Sequence, residues 1–307
     1  MAKSVTSREN NLRKKKHLFS TDNIMPLILS LFALLSILTT IGIVLILLTE
    51  SIGFFRKISL IEFYFGTEWT PLFANPKFGV LPLIAGTFSI TIIGTIIAVP
   101  IGLGSAIYLS EYAPDGLRAV LKPILEILAG IPTIVYGFFA LTFVTPIIRF
   151  FLPQTDIFNA LSAGIVVGIM VIPMISSLSE DAMTAVPRSL RNAAYALGST
   201  QLEVATKVVV PAALSGIVAS FVLAISRAFG ETMIVTLASG MLPNMSFNVL
   251  ESMQTLTAYI VSVSTGDIQF GTTEYLTIYA VGITLFIITL TMNLIASYIS
   301  KRFREEY

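Results

Sequence analysis

Arg227 and Glu231 stand in SRAFGETMIV, inside a long apolar stretch, and they are the residues best placed to do chemistry. An ionised side chain at membrane depth costs about 2.5–3.5 kcal/mol on insertion scales, so it persists where it has a partner or faces water. On a continuous helix their i, i+4 spacing puts both on one face. A guanidinium stays charged and binds planar or tetrahedral oxyanions through paired donors. The pattern predicts an anion contact at Arg227, with Glu231 orienting the arginine and partly offsetting its charge. Ser226 and Thr232 flank the pair and add hydroxyl donors. The plainer alternative is a self-neutralising ion pair that fixes the helix.

The elements that carry such a pair must be membrane helices. The 307-residue chain is 55% hydrophobic and only 12% charged. A soluble domain carries about twice that share of charge. Apolar stretches over 25–48, 81–109, 124–150, 157–178, 212–239 and 276–300 each suffice to span a bilayer. The first is too long for a signal-peptide core and lacks a small-residue cleavage site, so it is expected to be retained.

Lys and Arg set the orientation. Fourteen of the nineteen fall on one side, against Arg56, Lys57, Lys77 and Arg149 on the other. The expected layout is a basic cytoplasmic tail over 1–23, a first transmembrane helix over 24–48 and an extracytoplasmic loop over 49–80. A transmembrane domain of five helices over 81–300 and a cytoplasmic tail over 301–307 follow. Both termini are then cytoplasmic in a multi-pass cell-membrane protein. The basic tail, with His17 as a solvated residue, suits anchoring to the lipid bilayer.

Small residues recur every four positions in two spans: Gly94, Ala98, Gly102 and Ala106, then Gly216, Ser220, Ala224 and Ala228. Such seams let helix backbones approach closely in lipid. Pro132, in AGIPT, is expected to bend the third span. The 49–80 loop is rich in aromatic residues, among them Phe54, Phe63, Phe65, Trp69, Phe73 and Phe78. It reads as an interfacial aromatic belt or as a landing surface for an extracytoplasmic binding protein.

A loop over 192–211, NAAYALGSTQLEVATKVVVP, separates the fourth and fifth spans on the cytoplasmic side. Ser189 is expected to cap a short helix through Leu190, Ala193, Ala194 and Leu197. Gly198 permits the positive φ that ends it. Thr200 and Glu203 have the spacing of a capping box, so a second short helix starts at once. Pro211 closes the loop.

This spacing resembles the EAA loop of type I ABC-transporter permeases. There Glu-Ala-Ala is followed after three residues by Gly, and after nine more by an aliphatic pair and Pro. Ala193, Ala194, Gly198, Val208, Val210 and Pro211 fall in register, while Asn192 stands where that family has Glu. The stretch from Ser177 to Gly240, AGIPTIVYGFFAL and EWTPLF are similar to the PstC-type permease subunit of bacterial phosphate ABC transporters. The resemblance implies an all-α membrane protein of six transmembrane helices with the type I importer fold and a cytoplasmic coupling-helix loop. It also implies a role for Arg227 and Glu231 in phosphate passage. The implied partners are a PstA-type second permease subunit, two copies of a PstB-type ABC ATPase and an extracytoplasmic PstS-type phosphate-binding protein.

The chain has no cysteine and no G-x-x-x-x-G-K-[ST] phosphate loop. No His/Cys/carboxylate cluster or nucleophile–base set is apparent, so no catalytic residue, metal or cofactor is expected. ATP hydrolysis is expected from a separate subunit, and no nucleic-acid partner is. A permease for sulfate, molybdate or phosphonate, or a non-conducting phosphate-signalling membrane protein, are the other readings.

Overall fold

In the computed structural model, residues 21–302 are described, Phe247 apart, with side chains from 25 to 298. Residues 1–20 of the basic tail, His17 among them, lie outside the described residues, and the helix begins at Thr21, inside the expected tail. The chain divides into two units after Thr49. The described part of the first is helical over 21–49, the start of α1 (Thr21–Phe55).

In the second unit, α2 (Leu60–Phe65) precedes the long α3 (Leu81–Ile107), which runs into a π turn at Tyr108–Tyr112. α4 (Asp115–Ala129) follows. α5 (Thr133–Phe139) and α6 (Thr145–Phe151) flank a second π turn at Ala140–Val144. α7 (Ala160–Thr184) leads into the loop helices α8 (Arg188–Ala196), α9 (Gln201–Val204) and α10 (Val210–Ala212). α11 (Leu214–Phe229), α12 (Met233–Ala238), α13 (Leu256–Ser264) and α14 (Thr273–Arg302) complete it. Among the described residues the one extended pairing is a single Trp69–Phe78 bridge.

Among the described residues, five stretches are long and apolar enough to cross a bilayer: Met25–Phe55, Leu81–Tyr112, Thr133–Phe151, Ala160–Thr184 and Thr273–Tyr298. A sixth is a pair, Gln201–Ala212 and Leu214–Phe229, bent by 72°. Two of the expected spans differ from this. The third is broken, not bent: α4 ends at Ala129 and α5 starts after Pro132. Proline has no N–H to donate and disfavours helix at the residue before it, here Ile131. The fifth ends at Phe229, and a separate short helix starts at Met233.

α7 is the centre of the second unit, with Val166, Val167, Met170, Val171 and Ile175 buried. Both small-residue seams face it. A Cβ added to Gly168 of α7 would meet the carbonyl oxygen of Gly94 of α3 at 2.8 Å. On α11, a Cβ at Gly216 would strike Ala182, and the Ser220 and Ser179 hydroxyls lie 2.7 Å apart.

The 50–80 segment packs inward. Phe54, Phe63, Trp69 and Phe78 are buried with Leu256, Tyr259 and Leu276. Trp69 meets Phe63 and Tyr259 edge to face, with ring centroids 6.0 and 4.9 Å apart. These rings form a core rather than the interfacial belt the sequence suggests, because burying large rings against each other gains more than leaving them at a wet surface. Phe65 and Phe73 remain exposed.

Candidate functional site

Arg227 lies in the last turn of α11 and is exposed. Among the described residues it forms no ion pair. A cation at a helix C-terminus is favoured by the carbonyl dipoles there.

Glu231 is 7% exposed and belongs to the next element. Its Oε1 accepts from the backbone N–H groups of Met233 and Ile234 at 3.0 and 3.1 Å. Its backbone carbonyl accepts from Thr257 Oγ1 at 2.7 Å. The carboxylate thus satisfies amides at the start of α12, which no earlier turn can reach. The expectation that Arg227 and Glu231 share one helix face is corrected: α11 stops at Gly230, between them.

Ser226 is drawn sideways, its hydroxyl donating to Oδ1 of Asn293 on α14 at 2.7 Å. Thr232 Oγ1 donates to the Gly230 carbonyl at 3.2 Å. Of the four residues, Arg227 alone presents a charge without a contact partner among the described residues.

In the loop, the capping box forms as expected. Glu203 N donates to Thr200 Oγ1 at 3.3 Å, and Thr200 N donates to Glu203 Oε2 at 3.0 Å. Gly198 takes φ +85°. Lys207 adds an ion pair to Glu203 at 3.0 Å. Ser189 is not the cap: α8 starts one residue earlier, behind Pro187, whose fixed φ suits a helix entry. Pro211 lies in the first turn of α10.

The loop has two faces. Leu190 and Ala194 pack inward against Met183, Val186, Val204 and Val209. Asn192 and Ala193 are exposed, as are Tyr195, Leu197 at 88% and Leu202 at 62%.

Residues not singled out from the sequence hold this end together. Arg191 of α8 grips Glu111 at the end of α3, Nη2 to Oε1 at 2.9 Å and Nε to Oε2 at 3.3 Å. The same guanidinium donates to the carbonyls of Val186 and Met183 at 2.6 and 2.8 Å. Gln201 donates to the backbone carbonyl of Glu111 at 2.5 Å. Nearby, fully buried Glu180 of α7 accepts from Arg118 and, at 2.7 Å, from Lys122 of α4. Lys122 also reaches Asp181 at 2.5 Å. Burial pulls the Lys122 pKa down, but hydrogen bonds to Asp181 and Glu180 and the charges of both outweigh it, and the net shift is upward. The sequence signal for these pairs is weak: Arg118 and Lys122 read as topology markers, and their partners lie about sixty residues away.

Residues 98–305 match the family of binding-protein-dependent transport system inner membrane components. The chain belongs to that family. Its relatives include the probable ABC transporter permease protein YqgH of Bacillus subtilis, 35% identical, with 97% of this chain and 96% of that one covered. The phosphate transport system permease protein PstC of Xylella fastidiosa is 35% identical over 77% of each chain. Among solved structures, a chain of a bacterial ABC transporter that imports the polysaccharide alginate superposes with a TM-score of 0.65. It is 15% identical, with 92% of this chain and 98% of that one covered, which shows the shared fold. The 188–211 loop lies within the matched region.

Proposed function

We propose that this chain is one of two membrane subunits of an ATP-driven phosphate importer. The observation that carries the reading is the exposed Arg227 guanidinium, without a contact partner among the described residues, at a break in an apolar span. The 35% identity to a phosphate-system permease supports phosphate as the anion.

Arg227 offers paired donors to a tetrahedral oxyanion. Glu231 does not neutralise it by contact, because its oxygen is held by α12 amides. The guanidinium therefore stays open to an anion. Six spans supply half of a pathway, and a PstA-type subunit supplies the facing half. The exposed side of the 188–211 loop, with Leu197 and Leu202, seats in a groove of the ATPase, present as two PstB-type copies. A PstS-type binding protein delivers phosphate from the opposite side. The chain itself hydrolyses no ATP. The Lys and Arg bias puts the loop and both termini in the cytoplasm.

Any tetrahedral oxyanion suits a guanidinium, so selectivity is the point to test. Cells lacking their own high-affinity phosphate system, expressing this chain with its neighbouring transporter subunits, are given labelled phosphate. Uptake that unlabelled phosphate suppresses, and equal sulfate, molybdate or phosphonate does not, is the expected result. Suppression by one of the other anions at lower concentration would reassign the substrate. No uptake of any anion would favour the signalling role.

A further inference from the structure

Arg191 and Gln201 sit on opposite sides of the Gly198 turn, one on α8 and one at the start of α9, yet both reach Glu111. The chain links the two loop helices through 197–200, Leu190 and Ala194 pack near Val204 and Val209, and these contacts to Glu111 hold both halves to one further point. That point is well buried: the side chains of Glu111 and Arg191 are 4% and 15% exposed. Ser110 Oγ adds a further hydrogen bond to Glu111 Oε1 at 2.8 Å.

Glu111 lies in the π turn that ends α3, and the chain after Gln201 winds into another π turn, Ala205–Val209. The last carbonyls of a helix lack intrahelical partners, and Gln201 satisfies that of Glu111. The Arg191 fork also takes the Met183 and Val186 carbonyls at the end of α7. One guanidinium therefore joins the loop to the ends of two helices. Those helices are locked backbone to backbone at Gly94, Gly164 and Gly168. A displacement of the loop that moves Glu111 moves α3 with it.

We propose that Glu111 is the positioning residue through which the 188–211 loop drives α3. The inference rests on the reading that this loop docks on an ATPase. It adds a defined transmission point on the membrane side of the loop, distinct from the docking surface.

The test uses the complete transporter, with both permease subunits, ATPase and binding protein, in proteoliposomes. Phosphate-stimulated ATP hydrolysis and labelled-phosphate uptake are measured for wild type, Glu111→Gln and Glu111→Asp. Glu111→Gln keeps the size and one acceptor but removes the charge. It is expected to retain the ATPase subunit on purification and to lose about tenfold in phosphate-stimulated hydrolysis and uptake, within the range a coupling residue commands. Glu111→Asp keeps the charge and is expected to stay within about threefold of wild type. Wild-type coupling in Glu111→Gln would overturn the proposal. So would an equal loss in Glu111→Asp, or loss of the ATPase subunit, since each assigns Glu111 to packing alone. The docking reading fails separately. In a chain without native cysteine, Leu197→Cys would then give no cross-link to the ATPase whatever Glu111 does.

Discussion

Charge is handled in opposite ways at the loop-bearing end of the second unit and at the break after Phe229, in the fifth span of the chain. At the loop end every buried carboxylate named above has a cation: Glu180 has Arg118 and Lys122, and Glu111 has Arg191. At the break, Glu231 is satisfied by backbone amides and Arg227 is left without a contact partner among the described residues. Paired charges fix geometry, because separating them strands one in a low-dielectric site. A charge with no protein partner is free for a ligand. The same residue types thus serve as fasteners in one region and as a candidate binding group in the other.

The largest effect should come from breaking the fasteners. Arg118→Met with Lys122→Met leaves Glu180 buried without a cation and should cost about 3–5 kcal/mol. The thermal midpoint of the detergent-solubilised protein reads it. A double variant as stable as wild type would show that pairing does not hold Glu180.

Gly198→Ala is next. Holding an alanine at positive φ costs about 1–2 kcal/mol, and the open space around Gly198 makes the cost conformational rather than steric. Faster amide exchange across the loop helices and weaker ATPase retention are expected, and unchanged exchange would argue that the turn relaxes freely.

Glu231 separates the two uses of charge. Glu231→Ala removes the oxygen that caps α12 and should cost about 1 kcal/mol, as loss of a helix cap does. Glu231→Gln keeps an oxygen there, so stability and transport should stay close to wild type in melting and uptake assays. A stable Glu231→Gln variant that no longer transports would make the Glu231 charge part of the pathway.

The smallest effect belongs to Asn192→Glu. The side chain is exposed, and surface changes of this kind stay within about 0.5 kcal/mol. The ratio of ATP hydrolysed to phosphate taken up should not change. A shift in that ratio would give position 192 a direct role in docking.

Much of this was legible in the sequence where the signal is local. The capping box at Thr200 and Glu203, the turn at Gly198 and the small-residue seams depend on residues within a few positions of one another. The apolar spans follow from composition. What failed depended on contacts the spacing does not encode. The i, i+4 relation of Arg227 and Glu231 holds only if the helix continues through Gly230, a residue membrane helices often tolerate. The break is held by the Glu231 carboxylate turning onto the next helix and by Thr257, twenty-six residues away. Glu180 and Glu111 find their cations across separations of 62 and 80 residues, beyond any local pattern. The inward packing of Phe54, Phe63, Trp69 and Phe78 needs α13 and α14 as partners.

On the proposed function, Arg227 has no contact partner among the described residues because its partner is the transported anion. Labelled-phosphate uptake by the assembled transporter, wild type against Arg227→Gln, tests it most directly, with co-purification of the other subunits as the control for assembly. Arg227→Gln is expected to assemble fully and to lose uptake by about a hundredfold, in line with loss of a charged hydrogen-bonding group worth about 1.5–3 kcal/mol. Full uptake by an assembled Arg227→Gln transporter would contradict it and reduce Arg227 to a cation at a helix end.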